Sequence, residues 1–133
     1  MQEFIVALEP RAGTLAEVLR VLAKENVNIM SAMGQNVGDF DTFRFEPDKP
    51  EKAEAALRRA YISHRTSEIV NAIVPNRPGE LLKVAEKLGA AGINIEAFYL
   101  LSADASKAEV AFRVKDASAA RKALAAVAAA TPL

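Results

Sequence analysis

The sequence predicts an α+β protein of two tandem βαββαβ modules, and three observations lead there. Laying Gly13 on Gly79 shifts the chain by 66 residues and brings Arg11 onto Arg77, Leu15 onto Leu81, Val18 onto Val84 and Leu22 onto Leu88. At the same shift Val27-Asn28-Ile29 falls on Ile93-Asn94-Ile95, so one pattern is written twice and reads as a duplication. Within each copy, short apolar runs alternate with helical periodicity, and the breaks between them carry glycine, proline or asparagine. The first module is placed at residues 1–68 and the second at 69–133.

The elements follow in the same order in both copies. Phe4 to Leu8 and Ile69 to Val74 are apolar runs that end in breaker-rich turns, Glu9-Pro10-Arg11-Ala12-Gly13 and Pro75-Asn76-Arg77-Pro78-Gly79, and read as first strands. Leu15, Val18, Leu19 and Leu22 then recur at the spacing of one helix face, as do Leu81, Val84, Ala85 and Leu88. Thr14 with Glu17 three residues later suits a capping box, while Asn26 and Gly92 suit a left-handed helix exit. Second strands follow at Val27 to Met33 and Ile93 to Leu101, each turning into an alternating third strand. Matching Phe43-Arg44-Phe45 to Phe112-Arg113-Val114 there requires the register to slip by about three residues. Second helices are expected from Pro50 and Ala117, the latter capped by Asp116, burying Ala53, Ala56 and Leu57 or Ala120, Ala123, Leu124 and Val127. Ile62 to Glu68 supplies the closing strand of the first module. The second module ends in AAVAAATPL, which favours helix, so its last strand is expected to be short or missing, leaving a sheet edge to be covered.

Composition removes several classes of function. Half of the 133 residues are hydrophobic (51%), enough to bury a core. Seventeen basic residues balance seventeen acidic ones, so no long-range field draws the chain to nucleic acid or to an anionic membrane. Without cysteine there are no disulfides, thiolate metal sites or cysteine nucleophiles. The start MQEFIVALEP reads as a strand rather than a signal peptide, and the longest apolar stretch falls well short of the roughly 20 residues of a membrane span, so a cytoplasmic location is expected. His64 stands without a partner in the sequence and is placed on the surface. No nucleophile and base pair is apparent, no cofactor is implied, and the chain reads as non-catalytic.

The run Asn76-Arg77-Pro78-Gly79-Glu80-Leu81, followed by Val84, Leu88 and Gly92-Ile93-Asn94-Ile95, closely resembles the ACT-domain pattern N-x-P-G-x-L, V, L, G-I-N-I. The first half resembles it less completely, with Ala12 in place of proline, but keeps Gly13, Leu15 and Val27-Asn28-Ile29. The resemblance implies tandem ferredoxin-like modules that bind free amino acids at interfaces between modules and regulate amino-acid metabolism. By that analogy the better site is formed by Asn76, Arg77, Pro78, Gly79, Glu80 and Leu81, completed by Ile29, Met30 and Ser31 of a neighbouring second strand. A second site would use Arg11, Ala12, Gly13, Thr14 and Leu15 with Asn94, Ile95 and Glu96.

The residues support such chemistry on their own terms, because a glycine turn entering a helix presents backbone N–H groups and the positive dipole end to a carboxylate. The same glycines are also needed simply to make a tight turn, and Arg11 and Arg77 read as solvated loop residues sooner than as carboxylate clamps. The βαββαβ arrangement is shared by RNA-binding, metal-carrying and acylphosphatase-like proteins. Here Glu109 to Val114 reads EVAFRV without the aromatic RNA-binding motif, and no C-x-x-C is present. An interaction subunit that docks on a metabolic enzyme without a working ligand site is the alternative, with acyl-phosphate hydrolysis behind it. A homodimer is expected in either case.

Overall fold

The computed structural model describes residues 2–130, with side chains described to residue 125. The chain divides into two compact units between Ser67 and Glu68. The first unit contains β1 (Gln2–Leu8), α1 (Thr14–Lys24), β2 (Ile29–Val37), β3 (Phe40–Pro47), α2 (Pro50–Arg59) and the start of β4 (His64–Pro75). β3 pairs antiparallel with β1 and with β2, giving the order β2-β3-β1, and the first residues of β4 lie beside β1. The second unit contains the rest of β4, then α3 (Glu80–Ala90), β5 (Ala97–Ala103), β6 (Lys107–Arg113) and α4 (Ala117–Ala130), with strand order β4-β6-β5. These are two ferredoxin-like modules. Closing strand and next first strand, expected as neighbours, are one uninterrupted element, β4. α4 runs to the last described residue, so the last strand of the second module, expected to be short or missing, lies outside the described residues.

Each unit has its own core, built from alternate strand residues and a helix stripe. Phe4, Val6, Phe43 and Phe45 meet Val18, Leu22, Ala53 and Leu57 in the first; Val70, Val74, Val110 and Phe112 meet Val84, Leu88, Ala120 and Leu124 in the second. Ala53, Ala56 and Ala120 are buried as expected and Ala123 is partly buried against the second core, while the side chain of Val127 lies outside the described residues. The register identifies true equivalents: Phe4 faces Phe45 and Val70 faces Phe112. Phe45 therefore corresponds to Phe112, not to Val114, and the slip in the hairpin is one residue rather than three. The extra residue is Leu101, absorbed where the β5–β6 register shifts between Leu100 and Ser102.

Helix ends explain where the strands begin. Asn26 (φ 56) and Gly92 (φ 73) take the left-handed conformation expected of them. Val27 N–H then bonds Leu22 O and Asn26 N–H bonds Ala23 O, with Ile93 and Gly92 repeating both bonds onto Leu88 and Gly89. Val27 and Ile93 are thus consumed in helix caps, so β2 begins at Ile29 and β5 at Ala97, later than the apolar runs suggest. Asp116 Oδ1 accepts the Ala119 N–H and caps α4.

The capping box at Thr14 does not form. Gly13 occupies the N-cap position in the left-handed region, and Thr14 lies one residue inside the helix. Its hydroxyl donates back to the carbonyls of Glu9 and Arg11, leaving Glu17 to pair with Arg11. His64, expected on the surface, has only 11% of its side chain exposed. The start of β4 turns it inward, stacked on Phe4 at 5.7 Å, with Nε2 2.7 Å from Glu54 and Nδ1 3.0 Å from the Ile62 carbonyl. This contact, first, and Arg58, second, hold the Glu54 carboxyl below its ordinary range.

Candidate functional site

The geometry that repeats in both units is the turn between first strand and first helix. Gly13 (φ 92, ψ −9) and Gly79 (φ 88, ψ −9) adopt nearly identical left-handed conformations, which side chains disfavour, and nothing lies within 4 Å of where a Cβ would stand. Neither α1 nor α3 has a side-chain cap, and in α3 the first N–H, that of Glu80, bonds the Arg77 carbonyl at 3.4 Å. The buried helix stripe is Thr14, Val18 and Leu22 in one unit and Glu80, Val84 and Leu88 in the other. A polar residue takes the first place in each stripe, and Leu15 and Leu81, expected in it, are exposed beside the turn.

In the first unit this turn opens into a cavity of about 360 Å³ lined by Leu8, Arg11, Gly13, Thr14 and Leu15 on one side and by Gly34, Gln35, Asn36, Asp41, Thr42 and Phe43 on the other. The second wall is the hairpin of β2 and β3, brought there because Leu8 at the exit of β1 pairs with Asp41, which pairs in turn with Asn36. Asn36 Nδ2 donates to Asp41 Oδ1 at 2.5 Å, fixing the carboxylate. Gly34 leaves the strand surface bare, and Phe43 gives an apolar floor. Arg11 is held by two carboxylates: its Nε bonds Glu9 at 2.9 Å, and its two terminal nitrogens bond the two oxygens of Glu17 at 3.1 Å each. Glu17 and then Glu9 raise the Arg11 pKa further, and Arg11 in turn lowers that of Glu17.

The second turn is occupied by its own side chains. Asn76 Nδ2 donates to the Asp104 carbonyl at 2.6 Å, and its N–H bonds the Ser106 carbonyl, tying the turn to the β5–β6 hairpin. Asp104 holds that hairpin by accepting from Ser106 and Lys107, which lowers its pKa, the Lys107 N–H contributing most. Glu80 is only 4% exposed and accepts from Arg77 Nε at 2.7 Å and Lys83 Nζ at 3.2 Å on one oxygen. Arg77 is the main reason its carboxyl is held below the ordinary value, against the opposing effect of burial. Pro78 and Leu81 are exposed.

The strand residues named from the sequence are distributed differently. Ile29 packs on the core of its own unit, Ser31 donates to the buried Glu46, and Met30 is exposed where the β2–β3 register shifts. In the second unit Asn94 is exposed, Ile95 packs on the core and Glu96 lies 3.8 Å from Arg113. Reading the sequence for the turn alone missed Gly34–Asn36 and Asp41–Phe43. The antiparallel order offered the signal, since a third strand beside the first must carry its hairpin to the first strand's exit.

A family model described as an ACT domain pair matches residues 1–128. No curated protein matches the chain significantly. Among solved structures, the Bacteroides thetaiotaomicron protein BT0572 is 31% identical with a TM-score of 0.87, the match covering 96% of this chain and 88% of that one. The regulatory subunit of aspartate kinase from Thermus thermophilus, at 20% identity and TM-score 0.69, covers 97% and 91%, and that from Thermus flavus, at 18% and 0.61, covers 94% and 90%. At those lower identities the likeness concerns the fold.

Proposed function

We propose, for a chain that belongs to the ACT domain pair family, that it is a non-catalytic sensor of a free amino acid acting in the regulation of amino-acid metabolism. The observation that carries this reading is the first-unit cavity, which joins an uncapped helix N-terminus to a carboxylate on the opposite wall. A free amino acid is a zwitterion of that polarity. Its carboxylate faces the Thr14 and Leu15 end of α1, its ammonium faces Asp41, and its side chain lies between Leu8, Leu15 and Phe43. The volume is enough for a single amino acid.

The second turn, Asn76 to Leu81, repeats the left-handed glycine and is proposed as a second site. Each half, 1–68 and 69–133, acts as one domain in the cytoplasm. Among the described residues no helix is long and apolar enough to cross a membrane.

The end strands support self-association. β2 and β5 carry no charged residue over Ile29–Val37 and Ala97–Ala103, in a chain that is 26% charged, although charge is the usual protection of a sheet edge. The proposed assembly is a homodimer joined along such edges, able to dock on a metabolic enzyme. Thermal denaturation with each of the twenty amino acids at millimolar concentration tests the sensor reading. A ligand at a hundredfold excess over its Kd stabilises the native state by about 2.7 kcal/mol and raises Tm by several degrees. A flat response to all twenty would instead favour a docking subunit without a ligand site.

A further inference from the structure

We infer that the first-unit site selects amino acids with neutral or cationic side chains and excludes those with a second carboxylate, a specificity set by Glu9, Glu17 and Asp41. The inference rests on the proposed amino-acid site and adds the charge of its ligand. Arg11 is the cation lining the cavity, and on type alone it would be read as the clamp for an acidic ligand. Its geometry shows the opposite. Three of its nitrogens already donate to Glu9 and Glu17, the latter in a two-pronged pair that fixes the guanidinium plane. These carboxylates more than neutralise Arg11, and Asp41 adds a third negative charge from the facing wall. Arg20, one turn further along α1, also acts on Glu17, but as the weakest of the influences on it. A ligand α-carboxylate is served by helix N–H groups, whereas a side-chain carboxylate would enter a site with an excess of fixed negative charge.

The duplicated turn shows that this charge pattern is not a requirement of the scaffold. At the 66-residue shift Glu9 becomes Pro75, Thr14 becomes Glu80 and Glu17 becomes Lys83. The second turn accordingly sets one carboxylate between two cations, the reverse of one cation between two carboxylates. The same fold builds turns of opposite sign, so the sign of the first is a property of its site.

Calorimetric titration of the full chain with all twenty L-amino acids at pH 7 and low salt is the test, repeated on Glu17→Gln and Asp41→Asn. Glu17 is exposed and its replacement by glutamine keeps the helix, so the folded state is retained and is checked by Tm. Wild type is expected to bind at least one neutral or basic amino acid, with glutamate and aspartate weaker than glutamine and asparagine by about tenfold or more. Glu17→Gln, which releases Arg11, is expected to narrow that gap, and Asp41→Asn to weaken the bound ligand by about tenfold. Wild type binding glutamate or aspartate as tightly as the amides overturns the inference while leaving the amino-acid site standing, as does a gap unchanged in Glu17→Gln. Binding of none of the twenty overturns the amino-acid site itself.

Discussion

The two strand-to-helix turns have the same backbone and opposite interiors. Both place glycine near φ 90, leave the helix without a side-chain cap and expose a leucine at the second helical position. In the first turn the polar residue of the buried stripe is Thr14, whose hydroxyl is satisfied by nearby carbonyls, and the charged groups stand outside it around an open cavity. In the second turn that position holds Glu80, buried beneath Arg77 and Lys83, while Asn76 anchors the turn to the hairpin. The two copies thus share the backbone conformation at the helix entry and differ in what surrounds it. The second turn is tied to its hairpin through Asn76, whereas the first has a cavity beside it.

Mutations at equivalent positions sharpen the comparison. The largest effects are expected where the units are alike. Phe45→Ala and Phe112→Ala each remove a fully buried ring and should cost about 3–5 kcal/mol, read by denaturant unfolding, without distinguishing the two halves. The turns, by contrast, should separate. Arg77→Ala leaves the buried Glu80 with Lys83 and is expected to cost about 1–3 kcal/mol. Arg11→Ala breaks exposed pairs and should leave the unfolding midpoint almost unchanged. Equal losses for the two arginines would remove the distinction drawn between an internally satisfied turn and an open one.

The smallest expected effect is on pH dependence. The Glu80 carboxyl is lowered from its ordinary 4.5, so its pairing contributes fully above that value and is lost as pH falls through the lower folded value. Acid titration of stability should therefore slope downward below about pH 4.5, and Glu80→Gln should flatten the slope. Glu17, Glu54 and Asp104 shift in the same direction and steepen the wild-type curve. A slope indifferent to Glu80→Gln would mean that the Arg77 pairing adds no pH-dependent stability.

Much of this fold is legible because it depends on local patterns. The helix exits at Asn26 and Gly92, the cap at Asp116 and the buried alanines of α2 are set by residue type over a few positions. What the sequence obscured depends on partners far along the chain. His64 reads as isolated until β4 and α2 bring Glu54 to within 2.7 Å. Helical periodicity assigns Leu15 and Leu81 to the core, yet the first turn of each helix points its buried face at the preceding loop, where a hydroxyl or carboxylate is more useful. The glycine turn was visible from its own residues. Its opposite wall, Gly34 to Asn36 with Asp41, was not, because only the pairing of β3 with β1 carries the hairpin to it.

In the proposed function the first turn, with the hairpin facing it, receives the amino acid. The most direct test is two-dimensional amide NMR of the labelled protein titrated with the amino acid that gives the largest rise in Tm. The account predicts that the amides of Gly13, Thr14, Leu15, Gly34 and Gln35 move first and saturably. Shifts confined to Gly79, Glu80 and Leu81, with the first turn unmoved, would contradict it.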